Sequence, residues 1–249
     1  MTLIDQIELL LEKVDSITWK YRHVLHGPEY RFNIFTILRR EDDEVYLHSR
    51  FLAELLDPDG DHCQGDALLD AFLRQIGIEG FRMESVSVRR EYQDIDILVT
   101  NEDQAIIIEN KVYAQDQKRQ LERYYRAMRR EGSEVVRVVY LTLDGARPSR
   151  YSLGDLPRIV GDDAVCCISY DEDVHAWLDT CIDLSSRHPV LRETLVQYQR
   201  LVERLTGQSF SQDYIMEITQ LLKDEKNIEL AVNISRALVD AQIDIPLIN

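Results

Sequence analysis

Three charged side chains, Asp96, Glu109 and Lys111, stand within two mainly β-branched and apolar runs, Ile95-Asp96-Ile97-Leu98-Val99-Thr100 and Ala105-Ile106-Ile107-Ile108-Glu109-Asn110-Lys111, and a fourth, Asp94, lies two residues before Asp96. Residues 101–104 form a polar turn between the runs, which together read as a β-hairpin. Pairing Thr100 with Ala105 places Asp96 across from Glu109 and Asp94 across from Lys111. Because side chains alternate along a strand, all four then project from one face at the end of the hairpin. Carboxylates that share a site repel, and one is driven towards protonation unless a cation resolves the conflict. Mg²⁺ suits such a site, with Mn²⁺ as its substitute, since it takes oxygen ligands, keeps several waters and is commonly held by one or two carboxylates and a substrate phosphate. Lys111, on the same side, is placed to position or deprotonate an attacking water or to stabilise charge on the phosphate. The chemistry implied is phosphodiester hydrolysis.

An acid two residues before a lysine arises by chance about once or twice in a chain of this length. Asp116-Gln117-Lys118 and Asp224-Glu225-Lys226 also match, but both lie in helical patterns with no acidic strand before them. Glu109-Asn110-Lys111 differs because it closes a buried strand and has a second acid in register across a hairpin.

The elements that must hold these residues follow from periodicity. Helical spacing is predicted over 3–17, 32–38, 46–56 and 66–76. The period then becomes extended over 83–89, 95–99 and 105–108, helical again over 115–130, and extended over 135–143 and 165–169. From residue 174 onward the pattern is helical. This order implies a mixed α/β sheet flanked by helices, divided as an N-terminal docking helix (1–29), a core (30–170) and a helical C-terminal region (171–249). The chain stops at Asn249 directly after apolar residues, as a piece of a longer protein would.

Composition sets outer limits. With 249 residues, 45% of them hydrophobic and 30% charged, and with only 10 Gly and 6 Pro, collagen-like and disordered classes are excluded. No apolar run approaches the roughly 20 residues that a bilayer requires, and the first residues read as an amphipathic helix rather than a signal peptide. A cytoplasmic protein without a membrane span is expected. Cys63, Cys166, Cys167 and Cys181 lack C-x-x-C spacing and are expected to be buried thiols. No Gly-rich phosphate loop, G-x-S-x-G or H-E-x-x-H occurs.

The net charge of −16 opposes indiscriminate nucleic-acid binding, but it is unevenly spread. Residues 111–150 carry ten basic against five acidic side chains, whereas 162–183 hold seven acids and no Lys or Arg. The basic segment is the face for a polyanion, and the acidic helical C-terminal region is the surface for a partner protein or a second copy.

The residues around the hairpin resemble the PD-(D/E)XK nuclease superfamily, whose core is α-β-β-β-α-β with an Asp on one strand and (D/E)-x-K on the next. Ile95-Asp96 stands at the Pro-Asp position and Glu109-Asn110-Lys111 at the second motif; FNIFTILRREDDEVYLHSRFLAELLDPDGDH and DQKRQLERYY are similar to a bacterial branch of it. The resemblance covers about residues 30–145. It implies a restriction-endonuclease-like fold and a Mg²⁺-dependent deoxyribonuclease, with phage defence or DNA repair as the role by analogy; RNA stays open as substrate. It implies Asp96, Glu109 and the carbonyl of Asn110 as metal ligands and Lys111 as the residue that activates water. The superfamily's Q-x-x-x-Y is matched by Gln120 and Tyr124, an acid from the preceding helix by Glu44 or Glu54 with Glu44 preferred, and an occasional metal-binding His by His48. Lys118, Arg119, Arg123 and Arg126 are the expected contacts to the DNA backbone. The branch's His-Gly after the LLDP turn is here His62-Cys63-Gln64-Gly65, which leaves His62 without a clear role, and the cysteines lack the spacing of an iron–sulfur cluster. A second reading, a catalytically silent nuclease-fold module that docks a partner protein or nucleic acid, is favoured by the net charge and by the lack of a recognisable sequence-reading domain.

Overall fold

The β-branched runs that mark the hairpin form the centre of a five-stranded sheet. The computed structural model describes residues 3–25, 32–161, 165–207 and 212–240, so that Asp162 and Asp163 of the acidic run lie outside the described residues. The strands are β1 (Ser87–Tyr92), β2 (Ile95–Thr100), β3 (Gln104–Lys111), β4 (Glu134–Thr142) and β5 (Val165–Ser169), in that spatial order. β1, β2 and β3 are antiparallel, while β4 and β5 run parallel to β3. The expected pairing of Thr100 with Ala105 is observed and continues to Ile97 with Ile108.

The helices are α1 (Leu3–Leu25), α2 (Ile34–Leu38), α3 (Arg50–Leu56), α4 (Ala67–Gln75), α5 (Gln120–Arg130), α6 (Arg150–Leu153), α7 (Leu156–Val160), α8 (His175–Leu184), α9 (Pro189–Leu205), α10 (Gln212–Leu222) and α11 (Glu225–Asp240). Two π-helical turns, Glu44–Ser49 and Tyr170–Val174, lead into α3 and α8. The chain divides into two compact units, Asn33–Thr206, and Met1–Phe32 with Gly207–Asn249. In the smaller unit the rings of Tyr21 and Tyr214 meet edge to face at 5.7 Å, joining α1 to α10. In the larger unit the sheet is covered on both faces.

Ile97, Val99, Ile106 and Ile108 pack with Leu55, Leu68, Trp177 and Tyr198 of α3, α4, α8 and α9. Leu98, Ala105 and Ile107 pack on the opposite face with Leu121, Tyr124 and Met128 of α5. Each such buried side chain contributes about 1.5–3 kcal/mol relative to exposure, so the two layers fix which face of β3 each residue must take. α8 and α9 belong to the sheet's unit although the sequence places them in a separate C-terminal region. Fully buried Trp177, whose Nε1 donates to the Leu68 carbonyl at 2.9 Å, ties α8 to α4.

Three local expectations are corrected. β1 starts at Ser87, later than the extended pattern at 83–89, because Glu84 and Ser85 form a turn with Ser85 at positive φ (54°); it runs to Tyr92, where Gln93 and Asp94 (53° and 68°) turn the chain tightly into β2. α5 starts at Gln120, not 115: Arg119 lies in the left-handed region (φ 51°), where its N–H donates to the Tyr151 carbonyl. Of the cysteines, only Cys181 is fully buried, Cys166 and Cys167 are half-buried, and Cys63 is exposed in a turn; all four are free thiols.

The start of α5 is anchored by Glu122, which is 1% exposed and accepts from Arg119 (2.7 Å to each oxygen), Arg126 (2.7 Å) and the N–H of Asp155 (2.9 Å). Gly154 sits against this carboxylate at φ +58°, and a Cβ there would lie 2.2 Å from Glu122 Oε2. Gly154→Ala therefore combines backbone strain with displacement of a buried charge network, and urea denaturation should register a loss of about 1–3 kcal/mol. Unchanged stability would mean that the network does not constrain α5.

Candidate active site

Asp96, Glu109 and Lys111 share the α5 face of the sheet at the end where β2 begins and β3 ends. Beyond the pair Ile97 and Ile108 the two strands no longer pair, and Asp96 Oδ2 accepts the N–H of Asn110 at 2.7 Å. Glu109, 1% exposed, faces Lys111 with Oε1 2.5 Å from Nζ. That contact is an ion pair without hydrogen-bond geometry, and neither carboxylate oxygen of Glu109 takes a hydrogen bond. Glu44 arrives from the first π-helical turn, and its Oε2 accepts the N–H of Val112 (2.6 Å) and of Ala114 (3.4 Å).

The electrostatics follow from burial. A buried ion loses several kcal/mol of hydration, which one ammonium offsets only in part when a second acid is close by. Burial therefore pushes Glu109 up to about 8, helped by the charge of Asp96 and opposed by Lys111. Burial likewise raises Asp96 to about 6 against the Asn110 N–H bond and Lys111. For Lys111 burial works downward, but Glu109, Glu44 and Asp96 outweigh it and hold the ammonium above its ordinary value. The cluster is short of positive charge. Among the described residues, no group of three or more His, Cys, Asp or Glu side chains forms a ready-made metal cage. Two carboxylates in a site short of positive charge nevertheless suit a divalent ion that keeps water and phosphate as its other ligands.

Asn110 lies between Glu109 and Lys111, and its side chain takes the opposite face. There Nδ2 donates to Ser49 Oγ (3.0 Å) and Oδ1 accepts from the Tyr170 hydroxyl (2.9 Å). The Tyr170 ring meets that of His48 edge to face at 5.5 Å, and the Tyr198 hydroxyl lies 2.9 Å from His48 Nδ1. His48 Nε2 lies 2.7 Å from the Glu41 carbonyl and so must donate to it, which makes Nδ1 the acceptor from Tyr198. Burial pushes the His48 pKa down and keeps this ring neutral. His48 is therefore corrected from a metal ligand to a member of a buried chain that reaches Asn110, since both of its nitrogens are occupied.

Asp94 is also corrected. It lies exposed in the turn before β2, outside the carboxylate cluster, because the positive-φ turn ends the strand one residue after it. Its carbonyl accepts from the Tyr124 hydroxyl at 2.5 Å, and Gln120 Nε2 donates to that hydroxyl at 2.9 Å. Both side chains are 2% exposed, so the pair holds the turn that sets Asp96. Burial, then the charge of Glu109, raises the Tyr124 pKa, which places its hydroxyl in the field of the cluster. Glu54 is elsewhere, accepting the N–H of Asp61, and His62 bonds the Asp57 carbonyl and the Gln64 N–H within its own turn.

The basic residues divide by pairing. Arg119 and Arg126 are bound to Glu122, so that carboxylate offsets much of their charge. Lys118 is exposed in the turn before α5, and Arg123 Nη2 donates to Gln117 Oε1 at 3.2 Å. Arg123, Arg126, Arg129 and Arg130 line an open groove of about 790 Å³ that borders Tyr124 and the Gln93–Asp94 turn. Arg129 and Arg130 belong to the basic segment 111–150 but were not among the contacts expected from the sequence; the spacing 123, 126, 130 along one helix was the signal that could have found Arg130.

A family model of the PD-(D/E)XK nuclease superfamily matches residues 32–200. Neither the curated proteins nor the solved structures gave a match.

Two predictions follow from the geometry. Raised carboxylate pKa values mean that the folded state holds protons the unfolded chain has already lost, so the stability they confer is complete below about pH 4 and is lost as pH rises through 6 and then 8. Urea melts of the metal-free protein from pH 5 to 9 should show this decline, amounting to on the order of a few kcal/mol, and Glu109→Gln should flatten its upper part; an equal decline in the variant would contradict the assignment. Tyr170→Phe leaves Asn110 Oδ1 without its donor and should cost about 1–3 kcal/mol in the same assay, whereas a neutral result would show that the buried chain does not hold Asn110.

Proposed function

Because the chain belongs to the PD-(D/E)XK nuclease superfamily, we propose that it hydrolyses phosphodiester bonds of DNA with Mg²⁺, or Mn²⁺ in its place, through Asp96, Glu109 and Lys111. One observation carries the reading: a carboxylate 1% exposed, that of Glu109, is met by no main-chain N–H or hydroxyl and has a second acid and the Lys111 ammonium beside it. Asp96 and Glu109 would hold the cation, with the main-chain carbonyl of Asn110 as a further ligand. A divalent cation bound there supplies Lewis acidity and neutralises charge on the phosphate.

The chain's own residues divide the remaining work. Lys111, the one ammonium among the acids, orients the attacking water or stabilises charge that develops on the phosphate. Glu44 adds negative charge while fixing the chain just after β3 through the Val112 N–H. Gln120 and Tyr124 hold the turn before Asp96. The groove beside Arg123, Arg126, Arg129 and Arg130 supports a path for the sugar–phosphate backbone, with Lys118 and Arg119 near its start. No helix among the described residues is long and apolar enough to cross a membrane, which accords with a cytoplasmic site of action. Defence against phage or DNA repair is the role that analogy suggests.

The test is a cleavage panel of linear, circular, single-stranded and modified DNA, with an RNA arm, with and without Mg²⁺ or Mn²⁺, read beside calorimetric titration of each metal. Wild-type protein should take up metal and cut DNA only in its presence. Asp96→Ala, Glu109→Ala and Lys111→Ala should each lower the rate by about 10²-fold or more with circular dichroism unchanged. Full activity in Lys111→Ala overturns its role. Absence of both metal uptake and cleavage in the wild type favours the silent binding module instead.

A further inference from the structure

A second cavity, of about 640 Å³, lies between α2, the π-helical turn, α3 and the edge strand β1. Phe35, Tyr46 and Phe51 supply aromatic surface, and Arg39, Arg50 and Arg90 supply positive charge. Tyr46 is 60% exposed, and the Arg39 guanidinium lies over its ring, 5.3 Å from the centroid. Arg50 and Arg90 are exposed and meet no carboxylate among the described residues, in contrast to Arg119 and Arg126. Glu54 and Asp57, also in the lining, each use an oxygen to accept a main-chain N–H of the turn after α3.

We propose that this cavity binds one unpaired nucleotide of the substrate strand, its base against Tyr46 and the neighbouring phenyl rings and its phosphate at Arg50 and Arg90. The inference rests on the nuclease reading of Asp96, Glu109 and Lys111 and extends it to a substrate class: single strands, flaps or frayed ends rather than intact duplex.

Three observations favour a nucleotide over an apolar peptide or a second copy of the chain. Aromatic rings interleaved with guanidinium groups suit a stacked base and its phosphate, because every base presents a π-face and the phosphate carries the charge that the arginines lack. The volume lies within the range of about 300–1,000 Å³ typical of small-ligand sites. The position also fits, since Tyr46 is two residues from Glu44, and Arg90 precedes Glu91, whose charge acts on Asp96. In an intact duplex the base is stacked and paired, so only an unpaired or extruded base could enter such a cavity.

The experiment titrates the full chain, without divalent metal so that nothing is cut, into a fluorescent oligo-dT single strand and into a blunt duplex of equal length, reading anisotropy at several salt concentrations. Wild-type protein should bind the single strand at least tenfold more tightly than the duplex. Tyr46→Ala should weaken single-strand binding about 5- to 100-fold, and Arg50→Gln with Arg90→Gln should lower its salt slope by about 1.4 while leaving duplex binding unchanged. Arg90→Lys should retain most of the binding, which separates lost charge from misfolding. Equal affinity for the two DNAs overturns the proposal, as does wild-type-like single-strand binding in the Tyr46 and arginine variants. A dimer in sedimentation that Tyr46→Ala dissolves overturns it in favour of a second copy. Glu109→Gln should abolish cleavage and keep single-strand binding, so that failure of the cavity inference and failure of the nuclease reading are seen separately.

Discussion

The structure turns on the burial of one carboxylate, that of Glu109, which no main-chain N–H or hydroxyl meets. Near the end of β3, three acids compete for few positive groups, and two of them are satisfied by main-chain N–H groups: Asp96 takes that of Asn110, and Glu44 takes those of Val112 and Ala114. These amides are free because β2 has turned away beyond the Ile97–Ile108 pair, so side-chain oxygens occupy places that a ladder carbonyl would otherwise fill. Glu109 receives none. Its only compensation is the Lys111 ion pair, and the residual deficit raises its affinity for a proton and, by the same physics, for a divalent cation.

Such a deficit persists only if the backbone cannot relax around it, and the two faces of β3 divide that task. Ile106, Ile108 and Val112 pack into the larger core, while Ala105 and Ile107 pack against α5. Asn110 adds a polar anchor on the larger-core face through Tyr170, whose ring packs edge to face on His48, itself held by the Tyr198 hydroxyl and the Glu41 carbonyl. The same contacts fix the π-helical turn that begins with Glu44. Packing of α9 thus bears on the placement of two acids through one network, with side chains that touch neither of them. Low local dielectric strengthens each bond and makes every missing one costly, which is why a fully satisfied buried network restricts the geometry more than apolar packing alone would.

Much of this was legible in the residues. The pairing of Thr100 with Ala105 and the convergence of Asp96, Glu109 and Lys111 on one face follow from alternation and a short polar turn. Asp94 misled because the count along β2 assumed an extended chain, whereas Gln93 and Asp94 take positive φ with no glycine to signal it. His48 has the residue type of a metal ligand, and only its partners, all distant in sequence except the Glu41 carbonyl, reveal a structural part. The start of α5 was placed too early because residues 115–119 have helical composition but are held open by the contact of Arg119 with Tyr151 and the network around Glu122. The failures share a cause: tertiary partners override local propensity, and a single sequence does not print those partners.

Charge shows the same limit. Ten basic residues between 111 and 150 suggest a strongly positive face, yet two of the arginines nearest the start of α5 are offset by Glu122. What a polyanion meets is the remainder, Arg123, Arg129 and Arg130 in one groove and Arg50 and Arg90 at another, on a protein of net charge −16. At physiological salt, exposed charges are screened beyond about 8 Å, so the acidic bulk does little to repel a strand already in contact with these arginines. At longer range it opposes non-specific accumulation on DNA, because too few counterions would be released to hold the protein at sites that fill neither groove. Net acidity and local cationic clefts are therefore compatible, because the first acts at long range and the second only at contact.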